Sequence, residues 1–348
     1  MAVPSIAGTG RYTSGMPTSA PIAAESVRLS VAPMMDWTDT HCRNFHRLLA
    51  PHARLYTEMV HANAVIHGDR ARLLAFDASQ HPVALQLGGS EPGVLAEAAR
   101  IAADHGFDEI NLNCGCPSDR VQAGRFGACL MREPSLVAEC VAAMIAAVPG
   151  TPVTVKCRLG VDDDQEWERF AGFVDAIAAA GCTHVIVHAR NAWLQGLSPK
   201  ENREVPPLRY DWAHRLKRER PHLLVAINGG IADLDAATAQ RAHVDGVMLG
   251  RAAYHDPYLL HRIDSAWWCG ALQARGALLR AWRPYVEEQL ARGTALKHLT
   301  RHVLGLFHGE RGGRAFRQVL SEGAHRPGAD WSLIEQALAH TDAGALAA

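Results

Sequence analysis

The sequence of 348 residues contains no run of about 18 apolar residues, the length that a membrane-spanning helix requires. It also lacks a charge excess, because 35 Lys and Arg balance 36 Asp and Glu. A near-neutral molecule does not attract a polyanion over its whole surface, so any nucleic-acid contact must come from a local patch. The eight cysteines are scattered through a long chain, which favours reduced thiols. We therefore expect a globular, cytoplasmic protein that does not enter a membrane.

Motifs that would mark a dinucleotide or metal site are missing as well. No Gly-x-Gly-x-x-Gly follows a β-rich run and no Gly-Lys-Ser/Thr occurs, so neither a Rossmann site nor a P-loop is supported. The 19 histidines contain no His-Glu-x-x-His motif. Cys114 and Cys116 form Cys-x-Cys with Cys129 downstream, but zinc sites favour paired Cys-x2-Cys or His-x3–5-His units. We predict that the protein binds no metal.

What the sequence does contain is a regular alternation of two patterns. Amphipathic, alanine-rich stretches of helical period separate most of a series of short β-rich apolar runs. These eight runs occur at residues 28–32, 54–57, 83–87, 109–113, 153–158, 184–188, 223–227 and 245–249. Strands that alternate with helices are typical of parallel β-α units, and eight such units predict an α/β fold, a closed (β/α)8 TIM barrel.

The pattern divides the chain into three parts. Residues 1–27 are rich in Ala, Ser, Thr, Pro and Gly, and we expect a flexible extension there. Residues 28–267 carry the barrel pattern, with a long loop at 190–210 that we expect to contact substrate. Residues 268–348 show helical patterns only, at 272–291, 295–307, 313–321 and 331–339. We predict a small C-terminal all-helical domain, although helices that cover the barrel would give the same pattern.

Polar side chains recur at the carboxyl ends of four predicted strands. Side chains alternate between the two faces of a strand, so a residue that shares parity with small inward residues points into the barrel. The polar residues with this parity are Gln86, Lys156 together with Arg158, His188 and Asn228. Each alone could be a hydrogen-bonded core residue. Together, at the end where barrel enzymes keep their chemistry, they predict a site.

Two glycine-containing turns follow the last two predicted strands. They are Asn228-Gly229-Gly230 after the seventh strand and Gly250-Arg251 after the eighth. Loops at these places commonly bind phosphate, because glycine lets backbone N–H groups approach an anion and arginine adds a forked cation. A single Gly-Gly pair more often only closes a turn, but here glycine occurs in both of the loops that commonly bind phosphate.

A mononucleotide flavin would satisfy these features. Its phosphate would lie at the glycine turns, and its apolar ring would face Met34 and Met35 after the first strand. Lys156 could then stabilise the negative charge that a reduced flavin carries near N1.

Cys116 follows the fourth predicted strand in the run Asn113-Cys114-Gly115-Cys116-Pro117-Ser118. The proline fixes the backbone of this turn locally. A free thiol is mostly protonated at neutral pH, so it can donate a proton as well as act as a nucleophile. We predict that this cysteine is aimed at the substrate.

These residues belong to longer motifs that occur in order along the chain. They are Ala32-Pro33-Met34-Met35-Asp36-Trp37-Thr38-Asp39, Gln86-Leu87-Gly88-Gly89, Asn111-Leu112-Asn113-Cys114-Gly115-Cys116-Pro117-Ser118 and Lys156-Cys157-Arg158. With this combination the chain resembles the tRNA-dihydrouridine synthases from about residue 29 to residue 320. Segment 196–208 resembles the DusA subfamily in particular. Cys114 departs from the usual pattern, in which valine or another residue is common.

The resemblance implies bound FMN, a tRNA substrate and NADPH or NADH as a transient reductant. It implies FMN contacts at Pro33, Met34, Met35, Gln86, Lys156, His188, Asn228, Gly229, Gly230, Gly250 and Arg251. It implies tRNA contacts at Asn113, Lys200, Arg203, Arg314 and Arg317, with the first of these on the pyrimidine. The helical C-terminal part would hold tRNA across the barrel mouth, and no protein partner is implied.

The implied reaction reduces the C5=C6 bond of uridines in the tRNA D-loop, at positions 20 and 20a. Hydride from flavin N5 adds at C6, and Cys116 donates the proton to C5. A uridine inside folded tRNA must be extruded first, which requires contacts to the RNA backbone. Residues 292–326 hold seven Lys and Arg (292, 297, 301, 311, 314, 317, 326) against two acids (310, 322). This stretch is a candidate basic patch, with a solvated charged face as the alternative.

Two other functions remain open at this stage. The chain could be an FMN-barrel reductase of a small molecule, such as a dihydroorotate or enoate reductase, whose C-terminal helices bind no RNA. It could also be a catalytically silent tRNA-binding protein that keeps the barrel as a scaffold. Flavin binding and dihydrouridine formation distinguish these alternatives.

Overall fold

A computed structural model describes residues 18–342 of the chain, except for the side chains of residues 120 and 342. Eight parallel strands pair in chain order, and the eighth pairs with the first, so the sheet is a closed barrel. The strands are β1 Leu29–Val31, β2 Arg54–His61, β3 Val83–Gly88, β4 Glu109–Cys114, β5 Val153–Cys157, β6 His184–His188, β7 Leu224–Asn228 and β8 Gly246–Leu249. The predicted α/β fold, a (β/α)8 TIM barrel, is confirmed.

Helices surround the barrel and continue beyond it. Those up to the end of the barrel are α1 Thr40–Leu49, α2 Ala62–His67, α3 Arg70–Leu73, α4 Pro92–Asp104, α5 Asp119–Ala123, α6 Pro134–Ala147, α7 Trp167–Ala179, α8 Tyr210–Glu219, α9 Leu234–Arg241, α10 Arg251–His255 and α11 Tyr258–Trp267. The C-terminal helices are α12 Arg275–Ala281, α13 Arg283–Ala291, α14 Leu296–Thr300, α15 Gly313–Gly323 and α16 Trp331–Asp342. No helix within residues 18–342 is long and apolar enough to cross a membrane.

The alternation of side chains along the strands creates two apolar layers. Residues of one parity pack outward against the helices in a single large core. Residues of the other parity fill the barrel lumen in a smaller cluster of Ala32, Tyr56, Ala84, Ile186, Ala226 and Met248. Apolar side chains fill only part of the lumen, because the buried polar side chains of Glu109, Asn111 and Thr154 share it with them.

The extension predicted for residues 1–27 lies only partly within the described residues. Its later part is held against the amino-terminal end of the barrel. The Ser19 hydroxyl accepts a hydrogen bond from the N–H of Val153 at 2.8 Å and donates to the carbonyl of the same residue at 3.2 Å. Its own N–H donates to the Gly181 carbonyl at 2.9 Å. Within the described part of this segment, Ser19 is therefore hydrogen-bonded to the barrel, while flexibility of residues 1–27 stays a prediction.

The C-terminal helices dock on α1. His302, which is buried, lies with its Nε2 3.1 Å from the Asp39 carboxylate, and this carboxylate also caps α1. Trp282 donates its indole N–H to the Asn44 side chain at 2.7 Å. The stretch predicted as one helix at 272–291 is divided at this tryptophan, where α13 begins with a proline in its first turn. The predicted helix at 295–307 ends as a helix at residue 300 and continues as turns.

Candidate active site

The carboxyl ends of the strands enclose a cavity of about 760 Å³. All the residues predicted to hold the cofactor line it, namely Pro33, Met34, Met35, Gln86, Lys156, His188, Asn228, Gly229, Gly230, Gly250 and Arg251. Cys116, Asn113 and Arg203 line it as well. The structure therefore brings the thiol and the expected cofactor contacts together around one space.

Sequence reasoning missed several other residues of this cavity. Met59, Trp37, Met248 and His255 also line it. Strand parity could not find Met59, because the β2–β3 register shifts between Tyr56 and Met59. Such a bulge moves the following side chains to the opposite face. Met248 shares parity with the lumen residues and could have been identified by the same signal as Asn228.

Lys156 occupies the floor of the cavity. Its ammonium donates to the Asn228 side-chain oxygen at 3.0 Å, and the Asn228 amide in turn donates to the Met248 carbonyl at 2.8 Å. Loss of hydration, with Arg158 nearby as a second cation, lowers the pKa of Lys156 to about 8. This floor thus holds a cation that lacks an acidic partner among the described residues, and an anionic ligand would supply one.

His188 stands beside this cation. Desolvation and the neighbouring cations Arg158 and Lys156 hold the pKa of His188 well below its usual value, so the ring is neutral at neutral pH. A Cβ added at Gly229 would lie 2.7 Å from the His188 ring. The ring and the glycine turn after β7 therefore pack directly on each other, and only glycine leaves room for this contact.

The glycine turn after β7 has a backbone that favours glycine. Gly229 has φ +117° and Gly230 has φ +67°. A Cβ at the second position would lie 2.5 Å from a methyl of Leu208. The Tyr210 hydroxyl donates to the Gly229 carbonyl at 2.6 Å, which fixes the peptide orientation. Within residues 18–342 the N–H groups of both glycines donate no hydrogen bond, so they are available to a ligand in the cavity.

The second glycine turn leads into α10. A Cβ at Gly250 would have no atom closer than 4.0 Å, and this residue's N–H likewise has no acceptor within the described chain. Arg251, predicted as a forked cation for phosphate, pairs with Glu204 on the long loop at 2.5 Å. Since the Arg251 side chain is 35% exposed, this pair is weakly held and can exchange for another anion.

Cys116 lies on a turn whose backbone is held from several sides. The Asn113 side-chain oxygen accepts the N–H groups of Gly115 and Cys116 at 3.1 and 3.0 Å. Arg158 donates to the Gly115 carbonyl at 3.1 Å. The thiol is half-buried, and its Sγ lies 3.6 Å from the Ser118 hydroxyl. The turn therefore presents a fixed thiol at the edge of the cavity.

Asn113 has less freedom than a pyrimidine contact alone would suggest. Its oxygen is occupied by the turn, and its amide donates one hydrogen to Gln86 at 2.8 Å. One N–H remains for a ligand. Asn113 can therefore act as a donor to a base carbonyl, but not as an acceptor without releasing the turn.

Cys114 does not share this environment. It is fully buried in the outer apolar core, on the face of β4 opposite to Asn113. Burial raises its pKa well above the usual value for a thiol. Cys114 is therefore an apolar packing residue, and the cavity is lined by a single one of these two cysteines.

The predicted tRNA-contacting residues are not all at the cavity. Arg203 lines it, whereas Lys200 is exposed on the same loop outside the lining. Arg314 and Arg317 are exposed on α15, and neither has an ion-pair partner within residues 18–342. Neither arginine of α15 lines the cavity, and both are open to solvent.

The rim of the cavity touches the C-terminal helices. Trp37 stacks on Tyr254 with ring centroids 4.4 Å apart and 12° between the planes. The guanidinium of Arg301 donates to the Asp36 carbonyl in the same rim loop. The Arg301 contact joins the rim loop to the segment that follows α14, and the Trp37 stack joins the same loop to α10.

A second cleft, of about 820 Å³, lies between the 3-10 helix of residues 127–132, α6 and α7. Its acidic loop contains Asp162 and Asp164, which pair with Arg132 and Arg169. None of the predicted site residues lines this cleft. Across residues 18–342, no three His, Cys, Asp or Glu side chains come together as metal ligands.

Comparisons with known proteins agree with this geometry. The family model described as dihydrouridine synthase (Dus) matches residues 30–342. The chain is 74% identical over 319 residues to the tRNA-dihydrouridine(20/20a) synthase of Xanthomonas axonopodis pv. citri (strain 306), covering 92% of this chain and 95% of that protein. It is 55% identical over 317 residues to the protein of the same name from Vibrio cholerae serotype O1, covering 90% and 96%.

Among solved structures, a complex of 2-naphthoyl-CoA reductase with 2-naphthoyl-CoA superposes with a TM-score of 0.54 at 10% identity. The match covers 73% of this chain and 52% of that chain, and it supports the barrel fold alone. The family model and the relatives confirm the resemblance that the motifs indicated. The chain belongs to the dihydrouridine synthase family of enzymes.

Proposed function

We propose that this enzyme reduces uridine to dihydrouridine at positions 20 and 20a of the tRNA D-loop, with FMN as its cofactor and NADPH or NADH as the reductant. The observation that carries the proposal is one cavity that combines the fixed Cys116 thiol, the Lys156 cation and two glycine turns with free N–H groups. The two relatives named tRNA-dihydrouridine(20/20a) synthase that are described above are matched over 95% and 96% of their length, which supports the same substrate.

The donor set of the cavity fits a flavin mononucleotide. The unbonded N–H groups of Gly229, Gly230 and Gly250 would hold its phosphate, and Arg251 would exchange Glu204 for it. His188 is neutral and can donate only one hydrogen bond, so it would contribute to binding without adding charge.

The ring would lie over the apolar and polar residues of the floor. Met34 packs on the lumen cluster and provides an apolar surface beneath it. Pro33, Met35 and Gln86 complete the lining on that side. When bound and reduced, FMN supplies the hydride. Lys156 stabilises negative charge on the ring, and the ligand's charge would in turn restore the ordinary pKa of this lysine.

Cys116 supplies the proton. A uracil that accepts hydride at C6 carries negative charge over C5 and the C4 carbonyl, and it needs a proton at C5. Because Asn113 and Arg158 fix the backbone around the thiol, little rearrangement is needed to bring Sγ to C5. The remaining N–H of Asn113 can donate to a carbonyl of the base and stabilise its charge.

The RNA would be held outside the cavity by cations. Arg203 lies at the mouth, Lys200 extends from the same loop, and Arg314 and Arg317 are exposed on α15. Unpaired surface arginines gain most from phosphates, since no protein acid has to be displaced. A uridine must leave the folded tRNA to reach Cys116, so these contacts would flank the extruded nucleotide. A protein acting on tRNA is expected in the cytoplasm.

Flavin binding is the first test. Titration of the purified chain with FMN should give a yellow 1:1 complex with quenched flavin fluorescence, and NADPH should bleach it anaerobically. Failure to bind FMN would refute the cofactor and leave a tRNA-binding scaffold. Oxidation of the bleached flavin by a small enone or by orotate, but not by tRNA, would instead favour a small-molecule reductase.

A further inference from the structure

A chain of hydrogen-bonded side chains runs along the barrel lumen toward the Cys116 turn. Thr154 donates to Glu109 at 2.5 Å and accepts from the Asn111 amide at 2.8 Å. The Asn111 oxygen accepts from Gln86 at 2.8 Å, and the Gln86 oxygen accepts from Asn113 at 2.8 Å. None of these five side chains is more than 8% exposed. The upper end of the chain is the bond from Asn113 to the turn.

Both ends of this chain require the same direction of donation. At the lower end the Glu109 carboxylate can only accept, and it takes the Tyr56 hydroxyl at 2.6 Å while Arg54 lies 3.2 Å from its other oxygen. Thr154 must therefore donate to Glu109 and accept from Asn111. At the upper end two backbone N–H groups can only donate, so Asn113 must present its oxygen to them. The amides of Asn111 and Gln86 then have a single consistent orientation.

This direction decides what the cavity floor offers a ligand. The Gln86 oxygen accepts from Asn113 and the Asn113 oxygen accepts from the Cys116 turn, so each amide nitrogen has one hydrogen left for a ligand. Both residues line the cavity, as does the Lys156 ammonium. The floor is consequently rich in donors, which stabilise a ligand as it gains electrons.

We propose that Glu109, at the end of the barrel opposite to the cavity, is a positioning residue that sets the direction of this chain through Thr154 and thereby keeps the floor donor-rich and the Cys116 turn closed. Its effect on a flavin rests on the proposed function. Its effect on the turn does not, because the hydrogen bonds to the N–H groups of Gly115 and Cys116 are made by the protein alone.

The sharpest variant is Thr154→Val, which keeps the branched shape but removes the hydroxyl that connects Glu109 to Asn111. Thr154→Ser keeps the hydroxyl and should restore the native behaviour. Tyr56→Phe is the matched control, because it removes another buried hydrogen bond to the same carboxylate oxygen without interrupting the chain. Glu109→Gln is a poorer test, because its amide oxygen can still accept from Thr154 and because it leaves Arg54 without its acid.

The cofactor-free readout is hydrogen exchange of the peptide that spans residues 109–118. We expect exchange in this peptide to be roughly threefold to tenfold faster in Thr154→Val, since one link of the supporting network is lost. In Thr154→Ser and Tyr56→Phe, the exchange rate of this peptide should equal that of the native protein. Equal exchange in Thr154→Val and Tyr56→Phe would overturn the proposal, because the hydrogen-bonded side chains of the lumen would then only stabilise the fold.

The cofactor-dependent readout is the reduction potential of bound FMN. Loss of oriented donors should shift it to a more negative value in Thr154→Val, with Tyr56→Phe unchanged at a similar loss of melting temperature. A native potential in Thr154→Val would overturn the link to the floor. If the native chain binds no FMN, the proposed function fails, whereas the exchange experiment still decides whether Glu109 positions the turn.

Discussion

The cavity floor and the outer face of α15 hold their polar residues in opposite ways. On the floor, Lys156 and Asn113 have defined hydrogen-bond partners at 3.0 Å or less. On α15, Arg314 and Arg317 are exposed and lack ion-pair partners within the described chain. A preorganised floor suits chemistry, because charge must be stabilised without rearrangement. A free cationic face suits a phosphate backbone, because it gains affinity without a fixed geometry.

This contrast predicts that floor residues control turnover and cofactor binding, whereas α15 controls RNA affinity and its salt dependence.

Replacing the acid should have the largest effect. Cys116→Ala should reduce dihydrouridine formation by roughly 10²- to 10⁴-fold, because general acid catalysis typically contributes that much. FMN binding and NADPH oxidation by the flavin should remain native, which spectroscopic titration and anaerobic stopped-flow can measure. Cys114→Ala, on the opposite face of β4, is the control and should keep native turnover. Native product yield in Cys116→Ala would refute its role as the acid.

Removing the floor cation should weaken cofactor binding. Lys156→Met should raise the Kd for FMN by roughly 10- to 100-fold, the usual value of a charge-assisted hydrogen bond. Lys217→Met is a matched control, because Lys217 pairs with Asp245 at 2.8 Å at the other end of the barrel. Its FMN affinity should stay native. Equal losses in both variants, measured by fluorescence titration, would show that lysine removal acts through folding.

The protonation of Lys156 should determine how FMN affinity depends on pH. The pKa of Lys156 is about 8 in the free chain, so its charge is present below that pH and lost above it. FMN affinity should therefore fall as pH rises through about 8, by up to about tenfold per unit, since binding must then take up a proton. In Lys156→Met this dependence should vanish. The folded apoprotein should conversely gain stability with rising pH in the same window, because the unfolded chain binds more protons there.

Substitutions on the outer face of α15 should have the smallest effect. Arg314→Ala with Arg317→Ala should raise the KM for tRNA severalfold, leave kcat and FMN affinity native, and reduce the slope of log affinity against log salt by roughly two. Arg283→Ala is the control, because Arg283 is already paired with Glu287 at 2.7 Å. A native salt slope in the double variant would place the RNA elsewhere on the surface.

The same contrast explains how much the sequence could predict. Strand parity identified Gln86, Lys156, His188 and Asn228, because a closed parallel barrel converts sequence position directly into position at the strand ends. Parity failed at Met59, where a register shift in β2 reverses the faces. No sequence pattern marks such a shift, since it depends on pairing with β3.

Contacts between distant loops were also beyond the sequence. Arg251 was predicted as a phosphate-binding cation, but its pairing with Glu204, from a loop 47 residues earlier in the chain, was not. The use of the Asn113 oxygen by the Cys116 turn likewise depends on three-dimensional geometry. Composition found the basic stretch at residues 292–326 and the family resemblance singled out Arg314 and Arg317, but neither identifies the surface that a partner contacts.

The most direct test of the proposed function is mass mapping of an unmodified tRNA transcript after incubation with the purified protein, FMN and NADPH. We expect a gain of two hydrogens at uridines 20 and 20a, dependent on FMN and absent with Cys116→Ala. Flavin reduction without any modified uridine, or modification at full yield by Cys116→Ala, would contradict it.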